Sequence, residues 1–349
     1  MMVGEVSLYQ RFGSIHQRRI VIVGLLVAGL LIMLGLDLWA GPAGLSFADI
    51  VIGLFDPEQL ELRYRIILWD VRLPDALIAL SVGAALGLAG IETQTILDNP
   101  LASPFTLGVS SAAVLGASLA IVVAPVLPFF GEAAVLPAMA MLFALGAGGL
   151  ILMIVRWANG AREMVVLFGI ALVFLCNALT AGLQYLGSAE AVQQIVFWTI
   201  GNLTRAGWLE VGLVSACFIC VLPFSLRHVW VMTLLRGGEA HARSMGINVG
   251  KLRLWVVLRV SLLAAFAVCF VGAIGFIGLV GPHIARLLLG EDHRMLVPGS
   301  ALCGALILSC ASFLSKALIP GVIIPVGILT AVVGVPVFIG LLSGRRRVL

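Results

Sequence analysis

The residues able to carry out covalent or proton-transfer chemistry are few in this sequence and lie far apart. The five histidines, His16, His228, His241, His283 and His293, share no metal-ligand spacing, and no serine, histidine and aspartate fall together as a nucleophilic set. No GxxxxGK loop followed by Ser or Thr is present to cradle a nucleotide phosphate. Six cysteines occur, and Cys217 with Cys220 makes a CxxC, but the pair sits inside an apolar run where two small packing residues explain it. The chain is therefore expected not to be an enzyme and to bind no cofactor or metal itself. Any active transport it performs must draw on an ion gradient or on another subunit.

The polar groups that remain point to a pathway rather than to a reaction. An ion-coupled carrier places ionisable side chains mid-membrane, where charge is costly. Here Glu92 is expected near the inner end of its span, Glu163, Glu190 and Glu210 at span ends, and Arg259 close enough to an end to snorkel. The interior is thus expected to be hardly charged. Asn177, Thr180, Gln184 and Ser188 recur at steps of three and four, so they share one helix face. Such a stripe either bonds between helices or lines a wide, nearly neutral channel suited to a large polar solute. The turn from Leu97 to Gly108 holds Pro100 and Pro104, which end one helix and start the next. It reads as a tight hairpin or as a rigid constriction at the inner mouth.

The longest polar insertion runs from Thr233 to Lys251 between two apolar segments. Arg236, Arg243, Lys251 and Arg253 outnumber Glu239, and basic loops stay in the cytoplasm. Glu239, Ala240 and Ala242 followed by Gly246 predict a short helix stopped at that glycine. The loop is either a solvated connector or a docking surface for a cytoplasmic protein.

The elements that position these groups follow from composition. Of 349 residues, 61% are hydrophobic and 11% charged, against roughly 25% charged in soluble domains. The chain reads as an all-α polytopic membrane protein, because backbone amides in lipid must be satisfied within helices or a closed barrel, and alternating barrel segments are lacking. About ten spans are predicted, near 20–39, 73–96, 105–127, 135–157, 164–187, 208–230, 252–274, 277–290, 296–318 and 325–342. The net charge of +4 does not mark a nucleic-acid site, since the basic residues cluster at span ends. Most of them, including Arg345, Arg346 and Arg347, fall on one side of this map, which predicts both termini in the cytoplasm. No cleavable leader is expected, only Arg11, Arg18 and Arg19 before the first span. The expected organisation is an N-terminal segment 1–19, one transmembrane domain 20–343 with the loop 233–251, and a basic tail 344–349. On the outer side, 41–71 is read as amphipathic, and 187–207 as a re-entrant or interfacial helix with Phe197 and Trp198 at headgroup depth.

Several stretches together resemble the membrane permease subunits of importers for iron-siderophore complexes, haem and vitamin B12. They are Arg72-Leu-Pro, Asn99 to Gly108, Phe197-Trp198 with Gly201, the Leu235 to Arg253 loop, Gly275 to Arg286, Asp292-His-Arg294, Pro325-Val-Gly-Ile and Pro336-Val-Phe. The similarity covers the chain from Ile20 onward. It implies the ten-helix fold of the vitamin B12 importer permease, pairing with a second copy or a paralogue, two ATP-binding subunits that hold ATP and Mg, and a periplasmic binding protein, in the bacterial inner membrane. Arg236, Glu239, Ala240, Arg243, Ser244 and Gly246 are the implied coupling residues, although His241 departs from the Glu-Ala-Ala pattern of other importers. Asn99 and Leu101 match the inner gate, and Asn177, Thr180 and Gln184 lie on the pathway helix. Arg72 and Lys316 match the basic residues that receive the binding protein. The family's Arg-Leu-Pro-Arg here ends in Asp75, for which Arg63 or Arg65 would compensate.

The resemblance implies import of a ferric siderophore or related chelate, with haem or vitamin B12 as the alternatives within the family. A gradient-driven carrier acting alone and a purely structural subunit are the competing readings from the residues.

Overall fold

A computed structural model of the chain describes residues 8–41, 44–123, 132–157, 161–319 and 321–344. Every regular element among them is helical. In chain order these are α1 (Leu8–Trp39), α2 (Phe47–Phe55), α3 (Leu62–Ile66), α4 (Leu73–Ile96), α5 (Val109–Val123), α6 (Glu132–Trp157), α7 (Arg162–Leu186), α8 (Ala189–Thr199), α9 (Trp208–Arg227), α10 (Val229–Leu235), α11 (Glu239–Ser244), α12 (Val249–Val271), α13 (Ile277–Leu289), α14 (His293–Ala317) and α15 (Val326–Gly344). Seven helices are long and apolar enough to cross a membrane, and three shorter apolar ones, from Val109, Ile277 and Val326, complete the predicted set. The tail arginines 345–347 lie outside the described residues.

The centre of the bundle is α4, which packs against α14, α12, α13 and α9 and is buried along most of its length. Its run of small residues sets how closely the neighbours come: a Cβ at Gly87 would overlap the Ser300 carbonyl, and one at Gly90 the Gly278 carbonyl. In hydrocarbon, where apolar side chains gain little by leaving lipid, such backbone approach is what holds helices together. By contrast α1 leans on α14 at the periphery and leaves most of its apolar surface outward.

Three expectations are corrected here. First, the second span does not begin at 73: the helix is continuous from Leu62 to Ile96, with a π-helical turn at Ile67–Arg72. Pro74 has no N–H to give the preceding turn, and the wider turn absorbs that break. Second, the interior is charged. Glu92, wholly buried, takes two hydrogen bonds from Arg259 Nε at 3.0 and 3.1 Å, joining α4 to α12. Arg259 therefore does not snorkel, because a buried carboxylate one helix away satisfies it in place. Nearer the α3 end, Lys316 Nζ lies 3.1 Å from Asp37 and 3.7 Å from Asp75, and Ser312 Oγ donates to Asp37 at 2.9 Å, tying α14, α1 and α4 together. Third, Trp198 is a core residue and not an exposed one. It is 1% exposed and part of the main core, whereas Phe197, one position earlier, faces outward, so α8 docks inward by its tryptophan.

Candidate coupling face and translocation groove

The 233–251 loop folds as predicted at its centre. Gly238 precedes α11, and the helix ends where Gly246 takes φ +81°, with Gly246 N–H bonded to Arg243 O and Ile247 N–H to Ala242 O. Of α11 only Ala242 is buried; Ala240, His241, Arg243 and Ser244 are exposed, as is Met245 after it. The predicted second turn after Asn248 is the start of α12, with the Asn248 side chain accepting from Lys251 N–H at 2.9 Å as its N-cap.

Polar links anchor this exposed helix. Glu239 accepts from Arg253 Nη2 at 2.6 Å and from Arg243 Nη2 at 3.2 Å. Arg236 is ion-paired with Glu291, which lies 3.6 Å from Arg286 Nε, and Arg286 Nη2 donates to Gln94 Oε1 at 3.1 Å. Thr95 Oγ1 and His293 Nε2 are 2.8 Å apart. Hydrogen bonds from Arg294 hold the Asp292 carboxyl below the usual carboxylate range, and Asp292 also pairs with Arg19 at 3.4 Å. Glu239 thus ties α11 to α12, while the remaining links join the preceding Arg236 and the neighbouring residues of α1, α4, α13 and α14.

At the same end, the 97–108 turn carries Asn99, half-buried, and Leu101, 42% exposed. Asn99 Oδ1 accepts from Leu101 N–H at 2.9 Å, and Ser103 N–H is held by Thr106 Oγ1 at 3.1 Å. These local bonds make the turn stiff. Behind it, a groove of about 590 Å³ is lined by Phe105, Ser111, Asn177, Thr199, Gly275 and Phe276 among others. Part of its wall is unwound backbone between α12 and α13, where Phe276 takes φ +67°. A non-glycine residue in that region is costly and persists only where the surroundings enforce it.

The predicted stripe is brought only partly to this groove. Asn177 lines it, Thr180 is buried on the inner side of α7, and Gln184 is half-buried. Ser188 is not on the stripe at all: it caps α8, accepting from Ala191 N–H at 3.3 Å, because α7 ends at Leu186.

Mixed Asx caps, buried ion pairs and an exposed short helix between two long apolar ones are compatible with many transporters, and the comparisons narrow the choice. The FecCD transport family matches residues 16–344. The chain belongs to that family. It is 40% identical to the Fe(3+) dicitrate transport system permease protein FecD of Escherichia coli K12, over 80% of this chain and 86% of FecD. It is 35% identical to the vitamin B12 import system permease protein BtuC of Citrobacter koseri, over 82% of this chain and 85% of that protein. A metal-chelate-type ABC transporter solved in an inward-facing conformation superposes with a TM-score of 0.81 at 31% identity, covering 93% of this chain and 99% of that one. The chain is accordingly a membrane-embedded permease of the FecCD family of ABC importers, which serve iron chelates, haem or vitamin B12.

Against that family, the two residues matched to binding-protein docking sit in unexpected places. Arg72 is buried, and its Nη1 donates to the Leu38 and Trp39 carbonyls at 2.7 and 3.1 Å, closing the end of α1. Lys316 is held inside by Asp37 and Asp75. Asp75 is one of the acids that takes Lys316 inward. Arg63 and Arg65, on the short helix α3, remain exposed. Arg253 and Glu92 each read in sequence as one more charge near a span end; only the crossing of α4 with α12 brings Glu92 to Arg259, and only the packing of α11 on α12 brings Glu239 to Arg253.

Proposed function

We propose that this FecCD-family permease is the non-catalytic membrane subunit of an ATP-driven importer of a ferric siderophore or related metal chelate. Two ATP-binding subunits, which hold ATP and Mg, dock on α11 and its flanks at Arg236, Glu239, Ala240, Arg243, Ser244 and Gly246. The α11 face is cytoplasmic, as are both termini, and the protein resides in the bacterial inner membrane. A second permease copy or paralogue completes the pathway, with Asn99 and Leu101 as the inner gate and Asn177, Thr180 and Gln184 on the pathway helix. A periplasmic binding protein delivers substrate to the opposite face, where the exposed Arg63 and Arg65 take the docking role that Arg72 and Lys316 are too buried to fill.

The observation that carries this reading is α11 itself, a helix joined to the bundle by one buried alanine and a few side-chain bonds, with the rest of its surface free. A surface of that kind supplies the differential contacts through which a nucleotide-dependent partner shifts a conformational equilibrium. The named relatives transport iron dicitrate and vitamin B12, and the near-neutral groove suits a large solute of either kind.

The test is purification from native membranes in mild detergent, followed by reconstitution and uptake assays with ferric citrate, a ferric hydroxamate, haemin and cyanocobalamin. Recovery of an ATP-hydrolysing subunit, with ATP-dependent uptake of a ferric chelate, is expected. Reversing the charge with Arg243→Glu is expected to abolish uptake while the chain still reaches the membrane. Uptake driven by an ion gradient with no ATPase present would refute the proposal, and preference for haemin or cyanocobalamin would move the substrate within the family.

A further inference from the structure

α11 reaches the rest of the molecule mainly through one buried side chain. Arg253, the fifth residue of α12, is 1% exposed, and a single nitrogen, Nη2, donates both to Glu239 Oε1 at 2.6 Å and to the Ile96 carbonyl at 3.2 Å. Glu239 is the first residue of α11 and Ile96 the last of α4. At that helix end the Thr93, Gln94 and Thr95 carbonyls are taken by Leu97, Asn99 and Asp98 N–H groups, and Arg253 takes the Ile96 carbonyl. The cation therefore closes the negative end of α4 and, through the same nitrogen, grips the start of α11.

The next residues continue the connection. Asp98, three residues before Leu101, sits at φ +48°, and its Oδ2 accepts from Arg162 Nη1 at 2.7 Å. Arg162 opens α7, the helix that carries Asn177. Reading outward from α11, one covalent and hydrogen-bonded route thus runs through Arg253 to the Leu97–Gly108 turn and on to α7.

We infer that Arg253 is the positioning residue that transmits displacement of α11 to the gate turn at Asn99 and Leu101. The inference rests on the coupling role of α11 proposed above. The physical reason is the asymmetry of breaking a buried charge contact: pulling Glu239 away from Arg253 leaves an uncompensated buried cation, and pulling Ile96 away leaves a carbonyl at the end of α4 unpaired, each costing more than the bond contributes when made. Since both bonds leave from one nitrogen, α11 cannot shift without Arg253 and the root of the turn following. The Arg243–Glu239 and Arg162–Asp98 pairs are exposed and mark direction rather than carry load.

The experiment uses the complex of this chain with its ATP-binding subunits in lipid nanodiscs. A spin label is placed at position 101 by Leu101→Cys, in a background carrying Cys220→Ser to remove the exposed native thiol. Label mobility is read with and without a non-hydrolysable ATP analogue, alongside ATP hydrolysis. In the parent complex the analogue is expected to change the mobility. In Arg253→Met the ATPase subunits are expected to co-purify and hydrolyse ATP within twofold of the parent, while the mobility change is lost. Arg253→Lys, whose one ammonium can serve both acceptors, is expected to restore it, which a purely space-filling role would not predict. A mobility change of parental size in Arg253→Met, or none in the parent, overturns the inference. Should Arg253→Met fail to assemble, Glu239→Ala removes only the partly exposed acceptor, and a full response in that variant overturns the inference equally. Absence of any co-purifying ATPase with the parent chain refutes the coupling role of α11 itself, a result distinct from an intact complex whose gate ignores Arg253.

Discussion

At the α3 end of this permease Arg72 and Lys316 turn inward, one onto the closing carbonyls of α1 and the other onto Asp37 and Asp75. At the α11 end Arg236 and Arg243 face outward, and only Arg253 is internal. The same residue type near the same kind of span end meets opposite fates. What separates them is the burial of their acceptors: two spans bring buried carboxylates to Lys316, whereas Arg236 and Arg243 meet the part-exposed Glu291 and Glu239. The availability of a basic residue at a span end to a partner protein thus depends on which helices cross beside it.

The comparison is broken most severely by stranding the inward charges. Lys316→Met leaves Asp37 and Asp75 without their shared ammonium, and removing one member of a buried ion pair costs about 3–5 kcal/mol. A large fall in thermal unfolding temperature in detergent is expected, and an unchanged one would mean that Lys316 is solvated and free to meet a partner. Arg259→Met is expected to cost a similar amount, at the lower part of that range because one carboxylate rather than two is stranded. The double variant Arg259→Met with Glu92→Leu is expected to recover most of the loss, since neutral packing of comparable volume replaces a buried pair with little penalty.

Sharpening the comparison requires the outward cations. Arg63→Glu with Arg65→Glu is expected to weaken binding of an acidic partner at that face at least tenfold, about 1.4 kcal/mol, by titration calorimetry with the binding protein. Stability is expected to stay within about 0.5 kcal/mol, as for other exposed substitutions. If affinity holds while Lys316→Gln lowers it, docking follows the family pattern after all. The smallest effect is expected for Arg243→Ala, which removes an exposed i,i+4 pair with Glu239 worth about 0.3–0.5 kcal/mol. Its thermal unfolding should be nearly unchanged even where transport is lost.

Much of the fold was legible beforehand because membrane helices announce themselves locally. Ten apolar segments, the short helix stopped by Gly246 and the stiff proline turn were all read from the chain, and each depends on residues within a turn or two of itself. The continuous α3–α4 helix was missed because a proline reads as a start signal, and a π-helical turn upstream of it leaves no mark in composition. Trp198 was misplaced for a related reason. An aromatic near a span end looks interfacial until the helix carrying it docks by that face.

Of the site, the sequence by itself determined the location and shape of α11, the stiff Leu97–Gly108 turn, the helix bearing Asn177, and the family that all of these resemble. Those properties reside in residue type and short-range spacing, which hydrocarbon enforces strictly because every backbone group must be satisfied inside its own helix. Tertiary structure alone decided which charges are spent. Glu92 finds Arg259, Asp75 and Asp37 find Lys316, and Glu239 finds Arg253 across separations set by helix crossings. Electrostatic partners are chosen by distance in space and by the absence of competing water, and neither quantity is written in the order of residues along the chain.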